Sequence, residues 1–94
     1  MLELVVSTAF KKDLKKSKKQ NKDMDLLGEV ITNLQKEIPL EEKYKDHNLI
    51  GNWKGYRECH LEPDWLLINK IEKLSNLIVF FTNIFSTHNK YCRY

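Results

Sequence analysis

Histidine is the side chain best suited to moving protons near neutral pH, with an ordinary pKa of about 6.5. The chain carries three, His47, His60 and His88. No local spacing groups them, so only the fold can bring them together. In His60-Leu61-Glu62-Pro63-Asp64-Trp65 the proline-containing turn places His60 and Asp64 near one hairpin end, where a carboxylate can orient an imidazole. An aspartate in a turn equally often bonds its own backbone, and local sequence leaves both roles open. Cys59 adjoins His60, but adjacent strand residues point to opposite faces, so the two make no nucleophile–base pair and Cys59 reads as a small core residue. His47, His60, Asp64 and His88 lack any compact zinc spacing, and no metal is expected. With only three glycines there is no Gly-rich phosphate loop, Walker sequence or GxSxG elbow, and the chemistry calls for no cofactor.

Charge adds a second feature. Sixteen Lys and Arg against thirteen Asp and Glu leave a formal charge of only +3, which does not identify a nucleic-acid binder. Its distribution is uneven: Lys11, Lys12, Lys15, Lys16, Lys18, Lys19 and Lys22 crowd the segment from Phe10 to Lys22, with Asp13 the single acid among them. Such a face is either simply solvated or turned toward phosphates.

The elements that must position these residues are legible in outline. Leu2, Leu4 and Val6 alternate with Glu3 and Val5, which predicts a strand. Ser7 or Thr8 can cap a helix running to about Gln20, with a thin apolar stripe of Ala9, Phe10 and Leu14. Asp23 can cap a second helix, in which Met24, Leu27, Ile31, Leu34 and Ile38 recur at helical spacing, with Leu26 and Val30 widening the stripe and Pro39 as the stop. The polar segment from Leu40 to Asn52, which carries His47, reads as a loop. From Trp53 onward, WKGYRECHL, WLLINKI and NLIVFFTNIF read as three antiparallel strands. The expectation is an α+β fold: an N-terminal strand, two helices, then a three- to four-stranded antiparallel sheet with both helices on one face.

A chain of 94 residues fits one domain, spanning 1–94, and leaves no room for a second. No apolar run approaches the roughly 20 residues that span a bilayer, and the N-terminus turns charged too early for a signal peptide, so no membrane partner is expected. Two distant cysteines, Cys59 and Cys92, suit reduced thiols and a cytoplasmic location.

Taken together, Tyr44-Lys45-Asp46-His47, Leu49, Gly51 and the run from Trp53 to Ile68, WKGYRECHLEPDWLLI, resemble the YafQ branch of the RelE toxins. The Lys-rich first helix and the Lys-Asp-Met opening of the second agree with it more loosely. The resemblance implies a RelE-like fold and a type II toxin that acts as an mRNA interferase. Its implied partners are mRNA, often in the ribosomal A site, and a cognate DinJ/RelB-like antitoxin. It places His47, His60, Asp64 and His88 at the family's catalytic positions. RNA cleavage through the substrate's own 2′-hydroxyl needs a base, an acid and positive charge near the phosphate, and no metal. His60 and His88 are then the candidates for proton transfer and His47 and Asp64 for orienting or sharing the transfers. Lys54 and Arg57 are assigned to phosphate contact, Trp65 beside the turn aspartate is a further RNA-binding candidate, and Tyr91 offers a surface for stacking a base.

The match breaks at specific positions. Ile84 stands where the family has an arginine, Phe85-Ser86-Thr87-His88 replaces a glycine-bearing approach, Cys92 replaces a phenylalanine, and Asn69 replaces a tyrosine. These departures define a second reading, a catalytically weak or inactive RelE-like domain that binds antitoxin or RNA. A third reading is a basic RNA-binding module with incidental histidines.

Overall fold

Ser7 converts the first strand into the first helix. Its backbone is extended, at φ −79° and ψ 165°, and its hydroxyl oxygen accepts the Phe10 N–H at 3.0 Å. The same hydroxyl donates to the Phe81 carbonyl, so one side chain caps the helix and ties it to the sheet. In the computed structural model, which describes residues 1–63 and 65–85, β1 spans Glu3–Val6 and α1 spans Thr8–Lys19. Phe10, Leu14 and Ser17 follow at i, i+4 and i+7 and turn inward. Phe10 meets Phe80 with ring centroids 5.8 Å apart, while the Ser17 hydroxyl donates to the Asp13 carbonyl at 2.9 Å. Ala9 is exposed, contrary to the expected stripe, because it lies off that line.

The second helix, α2, spans Met24–Gln35 under an Asp23 cap that accepts the Leu26 N–H at 3.0 Å. It buries Leu27, Val30 and Leu34. It ends before Ile38, short of the expected limit. Glu37 turns left-handed at φ 57°, its N–H reaches the Leu34 carbonyl at 3.0 Å, and the Ile38 N–H reaches Asn33 at 2.9 Å. This paired reversal satisfies the last carbonyls. Pro39 disfavours a helical Ile38, so the chain turns ahead of the proline and leaves Ile38 exposed.

The remaining strands are β2 (His47–Asn48), β3 (Arg57–Glu62), β4 (Trp65–Glu72) and β5 (Leu77–Phe85), in the sheet order β1-β5-β4-β3-β2. β2 to β5 form the expected antiparallel sheet of four strands, and the N-terminal strand joins it as a fifth, which makes the whole sheet mixed. β1 runs parallel to β5, with Glu3 opposite Leu77, because two helices return the chain to the far edge. As an edge strand it leaves Leu4 and Val5 both exposed, so its alternation does not sort into two clean faces. β2 is too short to show a period, and two turns of 3-10 helix, Glu42–Tyr44 and Gly51–Trp53, flank it in the segment expected to be loop.

Both helices pack on one face, where Phe10, Leu27, Val30 and Leu34 meet Cys59, Leu61, Trp65, Leu67, Ile78 and Phe80. A smaller cluster, Leu49 and Ile68 with Trp53, Tyr56 and Phe81, contains no residue of α1 or α2. Two register shifts matter for the site. β5 carries Phe81 as an extra residue opposite the Ile68/Asn69 step, and β3 carries Leu61 as an extra residue between the His60–Leu66 and Glu62–Trp65 pairs. No helix among the described residues is long and apolar enough to cross a membrane.

One core position is a mismatch. Asn69 is fully buried in β4, and neither its amide nitrogen nor its oxygen has a hydrogen-bond partner among the described residues. A buried unpaired amide costs roughly 1–3 kcal/mol. Asn69→Leu, which keeps the branching and the number of side-chain heavy atoms without the polar groups, is expected to raise the melting temperature by at least about 4 °C, given roughly 4–8 °C per kcal/mol for a chain of this length. An unchanged or lowered melt in both Asn69→Leu and the smaller Asn69→Val would show that the unpaired amide is not a net cost.

Candidate active site

β2 and β3 pair with His47 opposite Glu58 and Asn48 opposite Arg57. Opposed residues share a face, and so do residues two apart on one strand. His47, Glu58 and His60 therefore converge. The Glu58 carboxylate is buried, and its Oε1 lies 3.5 Å from His47 Nε2 and 3.5 Å from His60 Nε2. The two imidazoles stand 6.0 Å apart between centroids, tilted by 32°, and each keeps an accessible edge. The arrangement is one acid flanked by two histidines, with the acid sealed from water and the histidines open to a substrate.

His47 is oriented from behind. Its Nδ1 lies 2.5 Å from the Lys45 carbonyl, which a left-handed Lys45 (φ 48°, ψ 45°) presents to it. A carbonyl only accepts, so Nδ1 holds the proton there and Nε2 faces Glu58.

Arg57 lies on the opposite face of β3. Its Nε donates to Asp46 Oδ1 at 3.0 Å and its Nη1 to Asn48 Oδ1 at 2.6 Å. It thus grips the residues on either side of His47 and fastens β2 to β3. The phosphate-contact role assigned to Arg57 does not fit this placement, since strand alternation turns it away from His60. Trp65, the other aromatic RNA-binding candidate, is fully buried in the helix-side core. Lys54 is exposed beside a cleft lined by Asn48, Leu49 and Gly55, separate from the cleft that His60 borders. Asp64, His88 and Tyr91 lie outside the described residues. Glu58 was not singled out from the sequence, although its position two residues before His60 is a period-two signal that marks a shared strand face.

Cys59 points into the core, as expected. Burial pushes its thiol far up from the ordinary range, with the Asp46 and Glu58 carboxylates adding to the effect and Arg57 opposing it. A protonated, sealed thiol is a poor nucleophile.

Among the described residues, His47, Glu58 and His60 are also the group able to hold a cation. Their ligand atoms all lie within 4.8 Å of one another, and two imidazoles with one carboxylate suit a borderline divalent ion such as zinc or copper(II).

A mixed sheet with two helices on one face is the fold of the RelE-like bacterial toxins. A metal-bound toxin from Helicobacter pylori superposes with a TM-score of 0.86 at 45% identity, covering 90% of this chain and 94% of that one. YafQ in the Escherichia coli DinJ–YafQ complex superposes with a TM-score of 0.81 at 40% identity, covering 90% and 93%. The mRNA interferase toxin YafQ of Escherichia coli K12 is 48% identical over 66 residues, 69% of this chain and 72% of that protein. Residues 2–92 match the family described as bacterial toxin of type II toxin–antitoxin system, YafQ, and the chain belongs to that family.

Two outcomes are expected from this geometry. Arg57→Ala and Asp46→Ala should each lower stability by about 1 kcal/mol in urea unfolding, and the double mutant by much less than the sum, because they remove one shared contact. Additive losses would mean that Arg57 does not fasten β2. For Cys59, the unfolded thiol ionises near its ordinary value of about 8.5 while the folded one stays protonated. The unfolded state then binds fewer protons, so stability should fall as pH rises above about 8.5, and Cys59→Ala should remove that part of the decline.

Proposed function

We propose that this chain is the toxin of a type II toxin–antitoxin pair and an endoribonuclease that cuts mRNA, engaged at the ribosome, in the cytoplasm. In this reading a DinJ/RelB-like antitoxin neutralises it. The observation that carries the reading is the buried Glu58 carboxylate held between two accessible imidazoles. The name of its Escherichia coli relative, an mRNA interferase toxin, supports the activity, and the DinJ–YafQ complex supports the partner. The lysines of α1 from Lys11 to Lys19 are all exposed, a face suited to ribosomal phosphates or to an acidic antitoxin segment.

Cleavage proceeds by attack of the 2′-hydroxyl on the adjacent phosphorus. The bond to the 5′-oxygen breaks, leaving a 2′,3′-cyclic phosphate and a 5′-hydroxyl. One group must remove the 2′ proton and another must protonate the leaving oxygen. His60 performs one transfer, because its imidazole is partly accessible while its Nε2 lies 3.5 Å from the Glu58 carboxylate that orients it. His88 is the candidate for the other, and Asp64 for orienting or sharing the transfers. Glu58 fixes His60 and offsets its charge when protonated, while His47, set by the Lys45 carbonyl, shares that carboxylate. Lys54 stands as the candidate phosphate contact.

A divalent ion bound by His47, Glu58 and His60 would supply Lewis acidity and a more acidic bound water. It would also occupy the nitrogen lone pairs that proton transfer requires.

Induction of the chain without its antitoxin is expected to arrest bacterial growth. His60→Ala and His88→Ala should each reduce cleavage by about 10²–10⁴-fold, and the double mutant by much less than the product. Chelators should leave the activity intact, and added zinc should suppress it. Normal growth with confirmed soluble protein would favour the inactive, antitoxin-binding alternative, for which Ile84 and Cys92 at the divergent tail are the sequence grounds.

A further inference from the structure

β2 ends at Asn48 and its pairing covers β3 only at Arg57 and Glu58, so β3 is uncovered from His60 onward. There the extra residue Leu61 shifts the register, and both Leu61 and Glu62 turn toward the helix side. The first turn of α2 and the 3-10 turn Glu42–Tyr44 close over this point and leave a cleft of about 390 Å³, with His60 at its rim. The volume falls within the range of small-molecule sites.

We propose that this cleft receives one nucleotide of the RNA chain next to the scissile phosphate, base inside and phosphate at the mouth. The proposal rests on the ribonuclease reading above. Its walls are Leu26, Leu61, Pro63 and the half-buried ring of Tyr44, a surface on which any base can stack. Two exposed lysines, Lys43 and Lys45, stand at the mouth, and Lys43 Nζ lies 5.1 Å from the Tyr44 ring centroid. Among the described residues Glu62 is the one acid in the lining, while exposed Glu41 lies outside it, 3.7 Å from Lys43 Nζ; Lys22 Nζ meets Glu62 Oε1 at 3.0 Å. That pairing leaves the cleft positive toward a phosphodiester while keeping a carboxylate acceptor for the N–H groups of a base edge. The sharing of His60 between cleft and catalytic group gives the nucleotide its register: a base seated here brings the adjoining phosphate to the His60 imidazole. Lys45 couples the two places further, because its carbonyl sets His47 while its side chain borders the cleft.

The test is methyl and imidazole NMR of the full chain titrated with a 2′-O-methyl oligoribonucleotide, which cannot be cleaved through its 2′-oxygen. The Leu26 and Leu61 methyls and the His60 ring should shift together at the same concentration. Tyr44→Ala should weaken binding by about 5–100-fold, the usual range for loss of one stacked base. Should that variant unfold, Lys43→Ala and Lys45→Ala provide surface substitutions, each expected to reduce the slope of log affinity against log salt by about 0.7. Histidine shifts with silent Leu26 and Leu61 would reject the subsite and leave the ribonuclease reading standing. Shifts at the cleft, with unmodified RNA left uncut by the wild type, would uphold the subsite and reject the nuclease. No shift anywhere would reject both. Displacement of these methyl signals by an acidic antitoxin peptide but not by RNA would assign the cleft to the partner instead.

Discussion

The candidate site depends on two residues of strand pairing. His47 and Asn48 meet Glu58 and Arg57, and this register alone decides that His47 and Glu58 share a face. A slip by one residue would send His47 to the far side of the sheet. So short a ladder is weak by itself, and the rest of the local structure reinforces it. Arg57 holds Asp46 and Asn48, the Leu49 N–H reaches the Tyr56 carbonyl at 2.9 Å, and left-handed Lys45 turns its carbonyl onto His47. Side chains on one face of β3 thus fix the geometry of those on the other.

The division of labour between the sheet faces follows from the same alternation. Cys59, Leu61, Trp65 and Leu67 complete the helix-side core, whereas Glu58 and His60, interleaved with Cys59 and Leu61, face away from it. Cys59 can therefore be sealed and inert beside an accessible histidine. The fully buried Trp65 belongs to this logic, since a ring at the hairpin base anchors the strand that carries the site's neighbours and has no surface left for ligand.

Much of the fold was legible because the signals were local. The Ser7 and Asp23 caps, the helical spacing of Leu27, Val30 and Leu34, and the three apolar runs after Trp53 each state their element within a few residues. Long-range pairing was not legible. β1 gives no sign that it runs parallel to the last strand, and two residues, His47 and Asn48, are too few to show a period. The early end of α2 was hidden because left-handed Glu37 offers none of glycine's usual warning. At the site, His47 and His60 were found through residue type and family resemblance. Glu58 was overlooked because a lone acid in a strand usually faces water, and its burial arises only once β2 is in place.

The strand order also sets a schedule for making the molecule. β1 is synthesised first, yet its sheet partner, β5, runs from Leu77 to Phe85 near the other end of the chain. The strand that β4 pairs with on its other side, β3, likewise precedes the closing strand, so the sheet is assembled around a centre that emerges late. Contacts this distant in sequence form slowly compared with helices, whose bonds are local. A ribosome translating this message therefore carries a chain whose N-terminal strand stays unpaired until nearly all of the domain has been translated.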